Sequence, residues 1–307
     1  MTPVCHLLSK PFRIAALKHR PSGSLHPVLA SVCALFLVWV SAPAQAQQTL
    51  EAEETVHWAY AAFMGTGLYK LDANREVFIL RIPLDWQWRE PALAEDGRRR
   101  LGVRFEAPIS LGLHQLDGLN DLVDSDNFGT LSISPGVELD YLASERWKLR
   151  GYAHLGRGGT TDGSESAWIY DLGIRSRYAL RHGALDWGLV NEVFHTGYDP
   201  DGAPADSLGG FLAGIDLSQP LPGSSTGLAL SWDLSYRWLG NNLSFRNRDR
   251  STSSFDDEWQ FGIALARPGR PFRLGFLSFP QLGLAYRFAS EGGFSAITLN
   301  FQPLFDR

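Results

Sequence analysis

Alternation with a period of two, sustained over ten or more residues, is the feature that most constrains this chain. Between Val77 and Glu90, the residues Phe78, Leu80, Ile82, Leu84, Trp86 and Trp88 alternate with Arg81, Asp85, Gln87 and Arg89. Successive side chains of a strand point to opposite faces, so such a run is a strand with one apolar and one polar face. The pattern recurs. Leu228, Leu230, Trp232, Leu234, Tyr236 and Trp238 oppose Asp233, Ser235 and Arg237; Trp168, Tyr170, Leu172, Ile174, Tyr178 and Leu180 oppose Asp171, Arg175 and Arg177. Val103, Phe105 and Ile109 oppose Arg104 and Glu106, and Leu131, Ile133, Val137, Leu139 and Tyr141 oppose Ser132, Ser134, Glu138 and Asp140.

Strands of soluble sandwiches usually have about five or six residues, whereas these are longer and their apolar faces end in aromatics, which suit the edge of a bilayer. The opposite face mixes Gly, Ala and Ser with charge, as a barrel lumen requires. The expected fold is therefore all-β, a transmembrane antiparallel β-barrel of about twelve strands, with ten or fourteen as alternatives. The expected spans are 55–69, 76–89, 99–113, 130–142, 145–155, 166–180, 183–195, 208–218, 225–238, 256–266, 274–288 and 293–305. In the last of these, Ile297, Leu299, Phe301, Pro303 and Phe305 fall on one face, with Pro303 unable to donate to a closing ladder. The long polar links 114–129, 196–207 and 239–255 are expected outside the cell, and the short links on the periplasmic side.

The first 46 residues read as an address. Lys10, Arg13, Lys18 and Arg20 come without any acid, then the apolar run Val28–Val40, then two small-x-small sites ending at Ala46. That order describes a cleaved export signal, and the run is short for a bilayer-crossing helix of about 20 residues. The expected organisation is 1–46 signal peptide, 47–54 short lead and 55–305 barrel. Cys5 and Cys33 both fall in the signal, so the mature chain has no disulfide or thiolate. Loss of four bases shifts the formal net charge from -5 to -9, so no nucleic-acid partner is expected.

A barrel can be an enzyme, but no H-E-x-x-H motif is present, and Gly223, Ser225 and Gly227, which match G-x-S-x-G in letters, stand between strand-like segments and not at the strand-to-helix turn of a nucleophile elbow. His57, His114, His154, His182 and His195 stand at no spacing that singles out a nucleophile, so no catalytic set is assigned. Asp117, Asp121, Asp124 and Asp126, and separately Asp256, Asp257 and Glu258, offer oxygen ligands. The first set lacks the glycine and closing glutamate of a calcium loop, so both read as solvated acidic segments. No cofactor or metal site is assigned. The residues singled out are the charges on the small-polar face: Arg81, Asp85, Arg104, Glu106, Glu138, Asp140, Lys148, Arg150, Asp171, Arg175, Arg177, Asp233, Arg237 and Arg287. In a narrow barrel they pair across the interior and close it; in a wide one they line a pore.

With its signal segment, about twelve alternating strands and a near-terminal aromatic strand, the chain resembles the outer-membrane β-barrel superfamily. Within it, the chain is most similar to the solitary autotransporter-type barrels. The resemblance implies a Gram-negative outer membrane, contact with its lipids and lipopolysaccharide, and the barrel-assembly machinery as a partner in biogenesis. It implies no specific activity and no oligomeric state. A pore or structural role is the leading expectation. A lipid-modifying barrel enzyme and a soluble periplasmic β-protein are the alternatives.

Overall fold

The computed structural model describes residues 64–71, 75–93, 99–114, 128–183, 185–221, 223, 227–246, 252–267, 269–275 and 277–307. The predicted signal, the lead and residues 55–63 of the first predicted strand lie outside the described residues.

Among the described residues, twelve antiparallel strands pair in chain order and close on themselves. They are β1 (Gly67–Leu71), β2 (Arg75–Ile82, continued by Asp85–Arg89), β3 (Gly102–Glu106, continued by Ile109–His114) and β4 (Phe128–Ile133, continued by Gly136–Leu142). Then follow β5 (Trp147–Thr160), β6 (Ser166–His182), β7 (Leu185–Pro200) and β8 (Asp206–Pro220). The last four are β9 (Ala229–Arg246), β10 (Thr252–Ala266), β11 (Gln281–Phe288) and β12 (Phe294–Asn300). Closure is made by β1, where Gly67 lies opposite both Ile79 of β2 and Thr298 of β12. Closure leaves no open sheet edge along these strands, which is the condition for crossing a bilayer with strands.

Three adjacent strands are interrupted at a proline, yet none changes register there; the register shifts in these strands lie elsewhere, between Gln87 and Arg89 and between Gly112 and Leu113. Ile82 is opposite Ile109 and Asp85 is opposite Glu106, so the pairing of β2 with β3 runs straight through Pro83 and Pro108. Likewise Ile133 and Gly136 of β4 keep step with Arg157 and His154 of β5. The amides of Ser134 and Leu155 donate to the carbonyls of Pro108 and Pro135 at 3.1 and 3.0 Å. The reciprocal bonds are missing because proline has no N–H. The faces therefore continue unbroken, and only single rungs are lost.

Residues 64–66 and 301–307 lie at one end of the barrel, termed proximal, together with the tight connections at 143–146 and Gly183. The distal end carries 161–165, 201–205 and 289–293. Outward faces hold Leu80, Trp86, Ile174, Leu234 and Ile297, all exposed.

Several sequence expectations need correction. Strands β9 and β10 run to Arg246 and start again at Thr252, so most of the predicted loop 239–255 is strand, paired from Leu243 with Phe255 outward after a register shift. The predicted strand 274–288 begins only at Gln281. Before it, Phe272–Leu274 pairs with Leu277–Phe279 around Gly275, whose φ of 61° suits glycine. Phe305 does not share the outward face of Ile297. After Asn300 the chain leaves the wall, and Leu304–Asp306 makes a single 3-10 turn inside the barrel, where Phe305 is buried. The ladder has already ended at Asn300, and Pro303, with no N–H to donate, does not rejoin it.

Candidate functional site in the barrel interior

The interior is stratified. Along β7 from proximal to distal, the inward residues are Val190, Glu192, Phe194, Thr196 and Tyr198. Along β6 in the opposite direction they are Ala167 and Ile169, then Asp171 and Arg175. Strands β2, β9 and β12 repeat the order: Val77 and Ile79 before Arg81, Leu239 and Leu243 beyond Arg237, Phe294 and Ala296 before Asn300. The distal residues form one buried apolar cluster drawn from eight strands. At its centre Phe255 stacks on Phe294 at 4.4 Å, and Tyr69 lies 6.2 Å from Phe294. The sequence reading of a lumen lined throughout by small and charged residues is thus wrong for the distal half. There both faces of the strand are apolar, as in Ala167-Trp168-Ile169-Tyr170, and alternation of polarity fades.

The proximal stratum is ionic. Arg150, fully buried, donates to Asp140 at 2.7 and 3.2 Å and lies 3.3 Å from Glu138 and 3.0 Å from Asp306. Lys148 lies 3.2 Å from Asp140. Arg104 sits 3.4 Å from Glu138 and 3.7 Å from Glu106, with its Nε donating to Gln87. Arg175 donates to Glu192 at 2.5 Å, and Arg177 grips Asp216 with two bonds of 2.9 and 2.6 Å. Arg287 and Arg237 share Glu258, and Arg287 also donates to the Tyr69 hydroxyl. Asp233 accepts from Gln260, Asn300 and Arg307. Arg81 and Asp85 line the central cavity, with Asp171.

The inward turn at Leu304–Asp306 ties these groups together. The carbonyl oxygens of Phe305 and Arg307 accept from Arg175, and the Phe305 ring lies under the Lys148 and Arg150 cations at 4.9 and 4.8 Å. Leu304 packs with Val190 and Leu212. Buried charges persist when they are paired and hydrogen-bonded. Of these partners, Glu192, Asp216, Gln260 and Asn300 were missed in the sequence. Parity on β7 and β8 points Glu192 and Asp216 inward, but only the strand register says whom they meet.

Between the strata lies a cavity of about 170 Å³, large enough for several waters, walled by Glu106, Glu138, His154, Asp171, Arg237 and Arg287. His154 stands 3.6 Å from Asp171 through Nδ1 and 3.5 Å from Glu106 through Nε2. A carboxylate on either side of the ring leaves neither nitrogen facing a hydroxyl, unlike a His that serves a serine nucleophile. The ring is seated by Gly136, where a Cβ would lie 2.0 Å from its Cδ2. His182 is exposed at the end of β6 and His195 packs beside Tyr170. His57 and the side chain of His114 lie outside the described residues, as do Asp117, Asp121, Asp124 and Asp126. Asp256, Asp257 and Glu258 diverge: Asp256 is exposed, Asp257 accepts from Ser290, and Glu258 points to Arg287.

No family model matches this chain, and no curated protein matches it. Among solved structures, it aligns with the transport unit of the autotransporter AIDA-I from Escherichia coli, at 9% identity and a TM-score of 0.44. The alignment covers 88% of this chain and 98% of that one.

Proposed function

We propose that this chain is an outer-membrane β-barrel of a Gram-negative bacterium with a structural role, sealed to solutes at rest. The apolar stratum carries the reading. Phe255, Phe294, Tyr198, Ile169 and Leu243 belong to one buried cluster inside the wall, whereas a diffusion pore needs a continuous wet path. The proximal ion pairs close on one another and on the inward turn, so they act as filling that braces the wall. The membrane location is supported by the export segment and by a closed barrel whose outer face carries exposed Leu, Ile, Phe and Trp side chains around the wall. Transport, in this reading, requires both strata to rearrange.

The test is conductance across planar bilayers, with heat-dependent gel mobility confirming a folded barrel. Folded protein is expected to stay electrically silent at moderate voltage. A steady ohmic conductance from the unmodified chain would overturn the sealed reading. Recovery from the soluble periplasmic fraction would overturn the membrane reading.

A further inference from the structure

The two rims of the barrel carry opposite charge. Exposed at the proximal rim are Arg89, Arg99, Arg100, Arg146, Arg181, Arg270 and Arg273, against exposed Glu90 and Glu145 and half-buried Asp186. Of these arginines only Arg181 has an ion pair among the described residues, with Asp186 at 3.8 Å. The undescribed stretch 94–98 adds Glu95, Asp96 and Arg98 by sequence and leaves the basic excess standing. The distal rim is the reverse. Asp162, Asp199, Asp201, Asp206, Asp256 and Glu291 are exposed there with Lys70 and Arg157 as the exposed bases among the described residues. By sequence, 115–127 adds four aspartates and no base, and 247–251 adds Asp249 with Arg248 and Arg250, which leaves the acidic excess standing.

Both rims carry exposed aromatics, Trp168 beneath Arg157 at the distal one and Trp86 and Trp88 at the basic one. Trp86 and Trp88 are 64% and 59% exposed, and the Arg89 guanidinium lies 5.5 Å over the Trp88 ring. Indole rings settle at the level of lipid headgroups. Guanidinium groups beside them match phosphate with paired donors and keep their charge at any working pH. Six of the seven have no carboxylate partner among the described residues; Arg99 instead donates to the Tyr141 hydroxyl at 2.8 Å.

We infer that the proximal rim is a binding surface for anionic phospholipid headgroups, holding a ring of phosphates of the leaflet that meets it. The inference rests on the membrane reading above and adds the lipid class and the side that takes it. It also orients the barrel, because a basic rim seats in an anionic surface while the acidic rim is repelled from one. Each Lys or Arg near an anionic surface contributes about 1 kcal/mol, roughly fivefold in partition, and the attraction falls within a Debye length as salt rises.

The experiment uses the folded chain in neutral detergent, titrated with phosphatidylglycerol, phosphatidylcholine or purified lipopolysaccharide. The melting midpoint and the lipids retained in native mass spectrometry are read. Phosphatidylglycerol is expected to raise the midpoint and to be retained several-fold over phosphatidylcholine, with the gain shrinking in high salt. The combined variant Arg99→Gln, Arg100→Gln, Arg146→Gln and Arg181→Gln is expected to lose most of that preference. Arg270→Gln with Arg273→Gln, on a different connection, is expected to lose part of it and covers the case in which the first variant does not fold. Asp162→Asn with Asp206→Asn, at the distal rim, is expected to keep all of it. Equal retention of both phospholipids, a preference unchanged in the arginine variants, or stronger retention of lipopolysaccharide through these arginines would overturn the inference. A chain that enters vesicles of neither phospholipid would instead overturn the membrane reading.

Discussion

The distal and proximal halves of this interior fill the same kind of space with opposite chemistry. The distal half uses Phe255, Phe294, Tyr198 and Leu243, whose contacts are non-directional. The proximal half uses Arg150, Arg175, Arg287 and their carboxylates, held by directional bonds that must all be made together. Tyr69 is the junction: its fully buried ring joins the apolar cluster, while its hydroxyl donates to the Gly65 carbonyl at 2.9 Å and accepts from Arg287 at 3.1 Å. The difference teaches how each stratum should respond to loss of a partner. Removing apolar volume leaves a void that a second deletion only enlarges. Removing one charge leaves its partner stranded, and deleting that partner as well relieves the loss.

The largest expected effect is therefore Phe294→Ala. Phe294 is 3% exposed and stacked on Phe255, so truncation should lower unfolding stability by about 3–5 kcal/mol. Adding Phe255→Ala should destabilise further, by less than its separate effect because the two rings share a contact. Urea unfolding in lipid vesicles reads both. A double variant as stable as the single one would break the description of the distal half as packed filling.

Arg177 and Asp216 supply the matching cycle in the proximal half, since their two bonds join only each other. Arg177→Met strands a nearly buried carboxylate. Breaking a fully buried pair removes roughly 3–5 kcal/mol. The Arg177 side chain is 27% exposed, so solvent screening lowers the expectation to about 2–3 kcal/mol. Asp216→Leu added to Arg177→Met should restore most of that loss, because apolar replacement of a whole pair is close to neutral. Additive losses would place this pair with the apolar stratum in behaviour and blur the contrast.

The contrast also explains what could be read in the sequence. Outward positions such as Trp86, Ile174, Leu234 and Ile297 were legible because one lipid-facing side and one other side impose period two locally. The distal apolar stratum was not, because at Ala167–Tyr170 both faces are apolar and periodicity loses its contrast. The ends of β9 and β10 were misread as loop because the sequence there is polar, and because the register shifts after Trp238 before pairing resumes at Leu243 with Phe255. The ionic site was half legible. Parity put Arg175 and Arg177 on one face, but their partners Glu192 and Asp216 follow from register with β7 and β8, which no single strand encodes. The inward turn of Leu304–Asp306 depends on Arg150, Arg175 and Asp233, three strands distant from it in sequence, and had no local signal beyond Pro303.

The smallest effect comes from the same ionic chemistry placed outside the barrel. In the distal turn, the Asp162 carboxylate accepts from the Ser164 amide at 2.9 Å and from its hydroxyl at 2.7 Å. The Ser164 backbone bond leads the causes that hold its pKa at about 2, below the unfolded value of about 3.9. A folded value lower than the unfolded one contributes stability that is present above the unfolded pKa and lost as pH falls toward the folded one. Protection of the 160–165 amides from hydrogen exchange should therefore weaken between about pH 4 and pH 2, and Asp162→Asn should remove that dependence. The unfolding midpoint at neutral pH should not move measurably, because this group is fully exposed and water competes for every bond it makes. A global loss of stability in Asp162→Asn would mean that an exposed charged turn matters as much as the buried lattice beneath it, and that burial is not what separates the two.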